Sequence, residues 1–370
     1  MNTSQPITRP SGNAGTRRPL TPRMRAEIER RKRTRLRVLC VLVCVLLFCA
    51  VMLVRSILFY ESPASPAGAE VISLGEREVY VPAPETETPI VEDPIVPVPT
   101  VTRPKASGAT VTLGDEIDSE YAVLITADTS AILAQKGANK RIHPASLTKI
   151  MSLIVAYESL PDMDATFTVT SAIIDPLYLA EATLAGFAPG ETVTVRDLLY
   201  GMILPSGAEA SVSLAILAAG DEEAFVDRMN EKAKEMGLKS THFTNCSGLH
   251  DADHYSTCTE MAMILAYALQ YPTCREILST YQYTTSATEK HPEGVELTST
   301  MFSRVHGDEP TDATVLAGKT GYTHQARHCL ASYAERDSDG AGFILVTTNA
   351  EGKFEPIFDA IHVYSEYIHK

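Results

Sequence analysis

Positive charge is scarce over most of this 370-residue chain. Of its 32 Lys and Arg residues, 12 lie in residues 1–60 beside only two acids, which leaves 20 basic and 44 acidic residues in residues 61–370. Because attraction to phosphates requires a positive surface, this balance argues against nucleic-acid binding by the main body of the protein. The chain also has no internal repeat, so its globular part is not an array of similar units.

Cysteines are also few. Of the seven, three fall in an apolar run near the N-terminus, which leaves four for the globular part: Cys246, Cys258, Cys274 and Cys329. Four cysteines allow three pairings. Cys246 and Cys258 are close enough in sequence to bridge a loop outside the cytoplasm, and buried free thiols are an equal alternative.

The N-terminal third of the chain is predicted to be a membrane tether. Residues 1–37 are polar and basic and are predicted to form a disordered cytoplasmic tail. Residues 38–60 are apolar except for Arg55 and have the length of about 20 residues that a transmembrane helix needs. A cleaved signal peptide is the alternative, since residues 67–69 are small, but the apolar run is too long for one. Residues 61–107 are rich in Pro and Glu and predict an extracytoplasmic linker.

Residues 108–370 have the patterns of a globular α/β domain. Tyr121–Thr126 and Ala131–Gln135 predict a β-hairpin. Helical periodicity marks Val195–Leu204, Ala210–Ala219, Asp221–Met236 and Thr259–Leu269. Strands are predicted at Val315–Lys319, Cys329–Ala334 and Phe343–Thr348, followed by a last helix with a buried face of Phe354, Ile357, Phe358, Ile361, Tyr364 and Ile368. We therefore expect an antiparallel sheet built from both ends of the domain and flanked by helices, plus an inserted all-helical lobe.

The stretch from Pro144 to Lys149 is the strongest candidate for chemistry. If a helix begins at Ser146, Lys149 lies on the same face, because residues i and i+3 are neighbours there. The unpaired N–H groups and the dipole at the helix start favour a developing negative charge near the serine. Lys149 is then a candidate base, provided that burial or a nearby cation lowers its pKa. An ordinary helix start with an exposed lysine is the alternative, since this motif is short.

Two further motifs follow in the order found in a known family. Ser206-Gly207-Ala208 precedes an apolar helix, and Lys319-Thr320-Gly321 ends a predicted strand. With Ser146 and Lys149 they resemble the active site of serine penicillin-binding proteins and β-lactamases. Longer phrases resemble the low-molecular-mass penicillin-binding proteins, the serine-type D-alanyl-D-alanine carboxypeptidases: Pro144–Met151, Gly190–Leu199, His254–Thr257 and Lys319–Thr323. The resemblance covers about residues 115–370 and implies the serine β-lactamase/penicillin-binding-protein-like fold.

The resemblance also implies roles for individual residues. Ser146 would attack the carbonyl between the two terminal D-alanines of a peptidoglycan stem peptide, Lys149 would take its proton, and Ser206 would relay a proton to the leaving amine. The substrate would be bound, and the oxyanion held in part, by Lys319, Thr320, Gly321 and Tyr322. β-Lactam antibiotics would acylate the same serine as inhibitors. No cofactor or metal is implied, and the expected location is the cell membrane of a bacterium, with a single membrane pass and an extracytoplasmic catalytic domain.

Two departures from the family pattern leave a second function open. Ala208 occupies the position where the family usually has Asn, so one oriented hydrogen-bonding side chain is missing. A loss of this kind can lower the rate by a factor of about 100 to 1,000. No arginine follows Arg336, and Lys353 is the cation nearest to the expected position of a carboxylate-binding arginine. The alternative is therefore a catalytically weak protein that binds peptidoglycan or regulates its processing.

Three other activities compete with the carboxypeptidase. A D,D-endopeptidase would use the same residues on cross-linked peptides. A β-lactamase would need a second base, for which Glu181 and Glu191 are candidates in sequences that do not resemble the β-lactamase loop. A metal-dependent peptidase would use the closely spaced histidines and aspartates of residues 250–254.

Overall fold

The computed structural model of the protein describes residues 99–128, 130–305 and 310–369. The predicted tail at residues 1–37, the predicted membrane helix at 38–60 and most of the predicted linker lie outside these residues. Within the described part of the chain, no helix is both long enough and apolar enough to cross a membrane.

The described residues form ten strands and nine α-helices. The strands are β1 (Val111–Thr112), β2 (Tyr121–Thr126), β3 (Ile132–Lys136), β4 (Thr166–Thr168), β5 (Thr192–Thr194), β6 (Gln282–Thr284), β7 (Glu296–Thr298), β8 (Ala313–Thr323), β9 (Arg327–Arg336) and β10 (Gly342–Ala350). The helices are α1 (Thr148–Ser159), α2 (Ser171–Leu179), α3 (Val195–Ile203), α4 (Ala208–Ala219), α5 (Glu222–Glu235), α6 (Cys258–Ala268), α7 (Pro272–Ser279), α8 (Phe302–Val305) and α9 (Glu355–Tyr367). A 3-10 turn, Ala145–Leu147, leads directly into α1.

Six strands form one sheet in the order β1-β3-β2-β10-β9-β8. Every neighbouring pair in it is antiparallel except β1 with β3. The early strands join the late ones where β2 pairs with β10, with Leu124 opposite Leu345. The predicted α/β class and the sheet built from both ends of the domain are therefore confirmed, although β8, β9 and β10 are longer than the patterns indicated.

The two faces of the sheet bury different helices, because successive side chains of a strand point to opposite faces. Leu124 of β2 packs in a cluster with Val363 and Tyr364 of α9. Its neighbour Val123 joins the larger core with the helices of the lobe, where Leu265 of α6 is also buried. Each such buried side chain stabilises the fold by about 1.5–3 kcal/mol. The domain thus has three layers, with α9 on one face and α6 on the other.

The inserted helical lobe is also confirmed. The helices α3, α4, α5 and α6 lie within a few residues of their predicted bounds, and three of them begin with a capping side chain. Thr194, Asp221 and Thr257 each accept a hydrogen bond from a backbone N–H in the first turn of α3, α5 and α6. Such a cap satisfies an otherwise unpaired donor and is worth about 1 kcal/mol. The patterns did not predict α2 or α7.

The predicted buried face of the last helix is partly wrong. Phe354 is 45% exposed and Phe358 is 53% exposed, and the two rings stack on each other outside the core. The buried side of α9 instead carries Ile357, Ala360, Val363, Tyr364 and Tyr367. Phe354 is the N-cap residue of this helix, and the aromatic residues i and i+4 lie beside the buried stripe rather than within it.

The four cysteines of the described residues are all buried and unpaired. Cys246 does not bridge to Cys258, and its thiol donates instead to the Glu222 carboxylate at 3.1 Å. Burial raises the pKa of the Cys258 and Cys329 thiols to about 12. The alternative of buried free thiols is therefore the one that the structure supports.

Residues 99–107, which the sequence assigned to the linker, pack on the domain and are called here the N-terminal arm. The backbone N–H of Thr100 donates to the Gln270 side chain, and Lys105 forms an isolated parallel bridge with Ala131. Between them, Arg103 forms an ion pair with the buried carboxylate of Glu260 at 2.9 Å. The packed domain therefore begins before the predicted boundary at residue 108.

Candidate active site

Ser146 lies in the 3-10 turn that leads into α1, with Lys149 one turn later. The Lys149 Nζ atom is 3.2 Å from the Ser146 Oγ atom, as the i, i+3 spacing predicts. Ala145, just before the serine, has a φ of 48°, in the left-handed region that costs a non-glycine residue roughly 1–2 kcal/mol. Gly248 packs on this turn so closely that a Cβ there would lie 2.0 Å from the Ala145 carbonyl oxygen. Packing of the Gly248 backbone therefore stabilises the strained turn that carries Ser146. Strained backbone that is stabilised by its surroundings is typical of functional sites.

A loop that the sequence did not single out positions Lys149. The Lys149 Nζ atom donates a hydrogen bond to the Ser247 carbonyl oxygen at 2.6 Å. Asn245 shapes this loop, because its Oδ1 atom accepts from the backbone N–H of Ser247 at 3.2 Å and of Gly248 at 2.7 Å. The sequence predicts only a loop at Asn245 to Tyr255, since a backbone carbonyl that binds a lysine leaves no residue-specific pattern in a sequence.

Burial sets the protonation of both lysines of the site. It lowers the pKa of Lys149 to about 8, while Cys246 and Glu209 oppose the shift. It also lowers the pKa of Lys319 well below its ordinary value, and the positive charges of Lys149 and Arg304 lower it further. Burial is therefore the main cause of the lowered pKa at both residues, and the repulsion between the two positive charges adds to it.

The second motif supplies a buried hydroxyl and an apolar neighbour. Ser206 has a φ of 73°, and its Oγ atom has no hydrogen-bond partner among the described residues. A buried hydroxyl left unpaired costs about 1–3 kcal/mol, so this atom is available to a bound molecule. Ala208 is 2% exposed and packs with Ile173 and Leu177. Where the family usually has Asn, this chain therefore has no side-chain donor or acceptor.

Glu209 does not take the place of the missing amide. Its Oε1 atom accepts hydrogen bonds from the backbone N–H groups of Ala185 at 2.7 Å and Gly186 at 3.0 Å. The backbone N–H of Ala208 donates to the Thr183 carbonyl oxygen at 2.8 Å. These bonds fasten residues 180–187 to the start of α4. Glu209 therefore orders this loop, and burial raises the pKa of its carboxyl group.

The third motif lies on β8, the edge strand of the sheet, beside the serine turn. A Cβ on Gly321 would lie 3.1 Å from the Ser146 backbone nitrogen, so the strand passes close to the nucleophile. The Thr320 Oγ1 atom is 2.7 Å from the Thr300 Oγ1 atom. Lys319 is buried and donates to the Thr320 carbonyl oxygen at 2.9 Å. Tyr322 is half exposed and stacks on His328, with 4.4 Å between ring centroids.

These elements enclose a cleft of about 630 Å³ between the lobe and β8. Six of the seven predicted site residues line it: Ser146, Lys149, Ser206, Thr320, Gly321 and Tyr322. The seventh, Lys319, lies behind the lining and is 1% exposed. Residues distant in sequence thus meet at the junction of sheet and lobe.

Arg304 is a cleft residue that the sequence did not identify. It lies on α8, lines the cleft together with Thr300 and Thr320, and its positive charge acts on Lys319. Burial lowers the pKa of its guanidinium. The family resemblance predicts a carboxylate-binding arginine only near the last helix, where Lys353 is the nearest cation, and Lys353 is not part of this lining. No short motif surrounds Arg304, so only the fold brings it to the cleft.

The residues proposed for the β-lactamase alternative occupy different places. Glu191 is 1% exposed and binds Thr288 and His291, at 2.6 and 2.8 Å, outside the cleft lining. Of the two candidates, Glu191 is therefore not placed to act as a base for deacylation, whereas Glu181 lines the cleft.

His254, a proposed metal ligand, has both ring nitrogens engaged in the structure. Its Nδ1 atom accepts from the Thr244 backbone N–H at 3.1 Å, and its Nε2 atom lies 2.8 Å from the Thr148 hydroxyl. Burial lowers its pKa to about 4, so the ring is neutral at pH 7. His254 therefore joins residues 244–254 to the first residue of α1 as a structural residue.

Comparison with known proteins agrees with this geometry. Residues 106–352 match the S11 peptidase family model, described as D-alanyl-D-alanine carboxypeptidase. D-alanyl-D-alanine carboxypeptidase DacF of Bacillus subtilis is 35% identical over 226 residues, which are 59% of this chain and 54% of that relative. A D-alanyl-D-alanine carboxypeptidase of Streptomyces sp. strain K15 is 31% identical over 229 residues, covering 60% of this chain and 78% of its own length.

The solved structures show the same fold. The crystal structure of the Streptomyces K15 DD-transpeptidase superposes with a TM-score of 0.61 and 28% sequence identity. The superposition covers 72% of this chain and 99% of that one. The family model matches more than half of the sequence, and its match includes all three motifs around the cleft. This chain therefore belongs to the D-alanyl-D-alanine carboxypeptidase family of serine peptidases.

Proposed function

We propose that this chain is a bacterial D,D-carboxypeptidase that removes the terminal D-alanine from peptidoglycan stem peptides through an acyl-enzyme on Ser146. The observation that carries the proposal is the 3.2 Å distance between Lys149 Nζ and Ser146 Oγ. Lys149 is buried and its pKa is lowered to about 8, so a useful fraction is neutral near pH 7. A base must hold an unshared electron pair within hydrogen-bond reach of the proton that it takes.

In the acylation step, Ser146 Oγ forms a bond to the carbonyl carbon between the two D-alanines while Lys149 Nζ takes the hydroxyl proton. The carbonyl oxygen becomes an oxyanion near the backbone N–H groups of Ser146 and Tyr322. Ser206, whose Oγ atom has no partner among the described residues, relays a proton to the leaving amine as the C–N bond breaks. Water then attacks the ester carbonyl, which frees the shortened peptide and Ser146.

The terminal carboxylate of the substrate would bind beside Thr320. The Thr320 and Thr300 hydroxyls line the cleft next to Arg304, and Lys319 lies directly behind them. A guanidinium can bind a carboxylate with two parallel hydrogen bonds, which fixes its orientation as well as its charge. Arg304 would thus take the role of the arginine that the sequence lacks near α9.

The setting of the enzyme follows from the N-terminal sequence. Residues 38–60 would anchor the chain in the membrane with one pass, and residues 61–98 would hold the domain near its polymeric substrate on the outer side. β-Lactam antibiotics would acylate Ser146, because their reactive amide would occupy the position of the D-Ala-D-Ala bond.

The decisive measurement is D-alanine release from a synthetic stem peptide ending in D-Ala-D-Ala. The full chain in detergent and its Ser146→Ala variant would be assayed in parallel, with circular dichroism as the check on folding. We expect release that requires Ser146. A folded wild-type chain without release would contradict the proposal and would favour the weak or regulatory protein suggested by Ala208. Faster cleavage of cross-linked dimers than of linear peptides would favour a D,D-endopeptidase.

A further inference from the structure

Thr300 connects the second and third motifs at the wall of the cleft. It lies between β7 and α8, and its backbone N–H donates to the Leu204 carbonyl oxygen at 3.0 Å. Leu204 is the C-cap residue of α3, two residues before Ser206. The Thr300 hydroxyl oxygen lies 2.7 Å from the Thr320 hydroxyl oxygen of β8, and both residues line the cleft. One residue outside the three motifs therefore links the loop that carries Ser206 to the strand that carries Thr320.

The backbone on both sides of this hydroxyl pair is fixed. Beside Thr300, the backbone N–H of Ser299 donates to the Tyr281 carbonyl oxygen at 2.8 Å. Thr320 lies opposite Leu330 in the antiparallel ladder of β8 and β9. Because neither backbone needs to move, the two hydroxyls are held in contact before a ligand arrives. A binding group that is ordered in advance costs less free energy on binding.

The hydrogen bond between the two hydroxyls can run in two directions. A threonine hydroxyl has one proton and two acceptor lone pairs, so within the pair only one oxygen donates to the other. If Thr320 donates to Thr300, its proton is engaged and cannot reach a bound molecule. If Thr300 donates to Thr320, the Thr320 proton is free to point into the cleft. A carboxylate only accepts hydrogen bonds, so a carboxylate bound at Thr320 requires the second direction.

We propose that Thr300 is a positioning residue that donates its hydroxyl proton to Thr320 and so directs the Thr320 proton toward the carboxylate of the substrate. This inference rests on the proposed function and deepens it, because it assigns a residue of the same site that none of the three motifs contains. Arg304, which also lines the cleft, supplies positive charge, whereas the two threonines supply a neutral donor with a fixed direction. Thr300 acts through Thr320 and forms no bond with the substrate.

The test measures peptide binding by calorimetry to the full chain in detergent, in the Ser146→Ala background that prevents turnover. Thr300→Val keeps the shape of the side chain but removes the hydroxyl. For a stem peptide ending in D-Ala-D-Ala we expect a dissociation constant about fivefold higher, the worth of one hydrogen bond. Thr300→Ser keeps the hydroxyl and should retain the affinity. Thr284→Val, at an exposed threonine of β6 outside the cleft lining, is the matched control and should leave the affinity unchanged.

A double-mutant cycle with Thr320→Val separates positioning from direct contact with the substrate. If Thr300 acts through Thr320, Thr300→Val should weaken binding no further once the Thr320 hydroxyl is gone. An additive loss in the double variant would overturn the inference, because Thr300 would then contact the substrate itself. An unchanged affinity in Thr300→Val, or an equal loss in Thr300→Ser, would also overturn it.

Turnover provides an independent readout. In the active enzyme, the loss in Thr300→Val should appear in KM with kcat nearly unchanged, as expected for a contact made equally in the bound substrate and in the transition state. A wild-type chain that binds the peptide without releasing D-alanine would count against the proposed function alone, because the binding comparison would still decide the role of Thr300.

Discussion

Replacing Arg103 with Ala should destabilise the domain although this residue lies outside the family match. Both terminal nitrogens of Arg103 donate to Glu260 Oε1 at 2.9 Å. The Glu260 side chain is completely buried, whereas the Arg103 side chain is 43% exposed. Glu260 also accepts from the backbone N–H groups of Lys239 and Ser240 and from the Thr241 hydroxyl. The substitution therefore removes the cation but leaves other donors on the carboxylate.

The expected cost follows from the burial of the two partners. Removing one partner of a fully buried ion pair costs about 3–5 kcal/mol, since it leaves an uncompensated charge. Arg103 is partly solvated and Glu260 retains its other donors, so we expect about 1–2 kcal/mol of lost stability. For a domain of this size, 1 kcal/mol corresponds to roughly 2–4 °C in Tm, which gives an expected decrease of about 2–8 °C.

Thermal unfolding followed by circular dichroism would measure this decrease. Arg196→Ala, which removes an exposed arginine of α3, is the matched control and should change the stability by less than about 0.5 kcal/mol. A double-mutant cycle with Glu260→Gln isolates the pair itself. A coupling energy near zero, or equal Tm values for Arg103→Ala and Arg196→Ala, would refute the reasoning. A positive result would also mean that a domain cut at residue 108 loses stability.

Two further predictions concern the site. The kcat/KM for D-alanine release should rise with pH through about 8, because Lys149 must be neutral to take a proton and its pKa is about 8; a flat profile between about pH 6 and 10 would contradict this role. Gly248→Ala should reduce acylation by a labelled β-lactam about 100-fold, since its Cβ would displace the serine turn. Gly190→Ala, with a similar φ of 80° but open space, should keep acylation, and equal losses in both variants would point to backbone strain alone.

Local sequence patterns predicted the helices and strands whose apolar residues face a single hydrophobic core. The helix α4 is rich in small apolar residues, and β9 has an unbroken buried stretch at its centre, so both were predicted near their observed bounds. The helix α2 was missed because Pro176 lies inside it and only Ile173 and Leu177 are buried. In α9 the two phenylalanines that strengthened the apolar pattern are exposed, because the sheet decides which side of the helix is covered.

The residues of the candidate site likewise fall into those that the sequence predicted and those that it did not. Ser146, Lys149, Ser206 and the third motif were found because each lies in a short phrase with a characteristic spacing. Arg304 and the Ser247 carbonyl were not found, since a lone arginine and a backbone oxygen have no such phrase around them. Both reach the cleft only because β8 and the lobe meet there, which is a property of the whole fold.

The geometry around Lys149 indicates what the replacement of Asn by Ala208 changes. The Lys149 Nζ atom already contacts the Ser247 carbonyl oxygen and the Ser146 hydroxyl, so its position does not depend on an amide from the second motif. Ala208 packs in an apolar cluster with Ile173 and Leu177. The missing side chain therefore affects contacts with the substrate rather than the basicity of Lys149. Its cost should therefore fall on the positioning of the peptide in the cleft, which Ala208 lines.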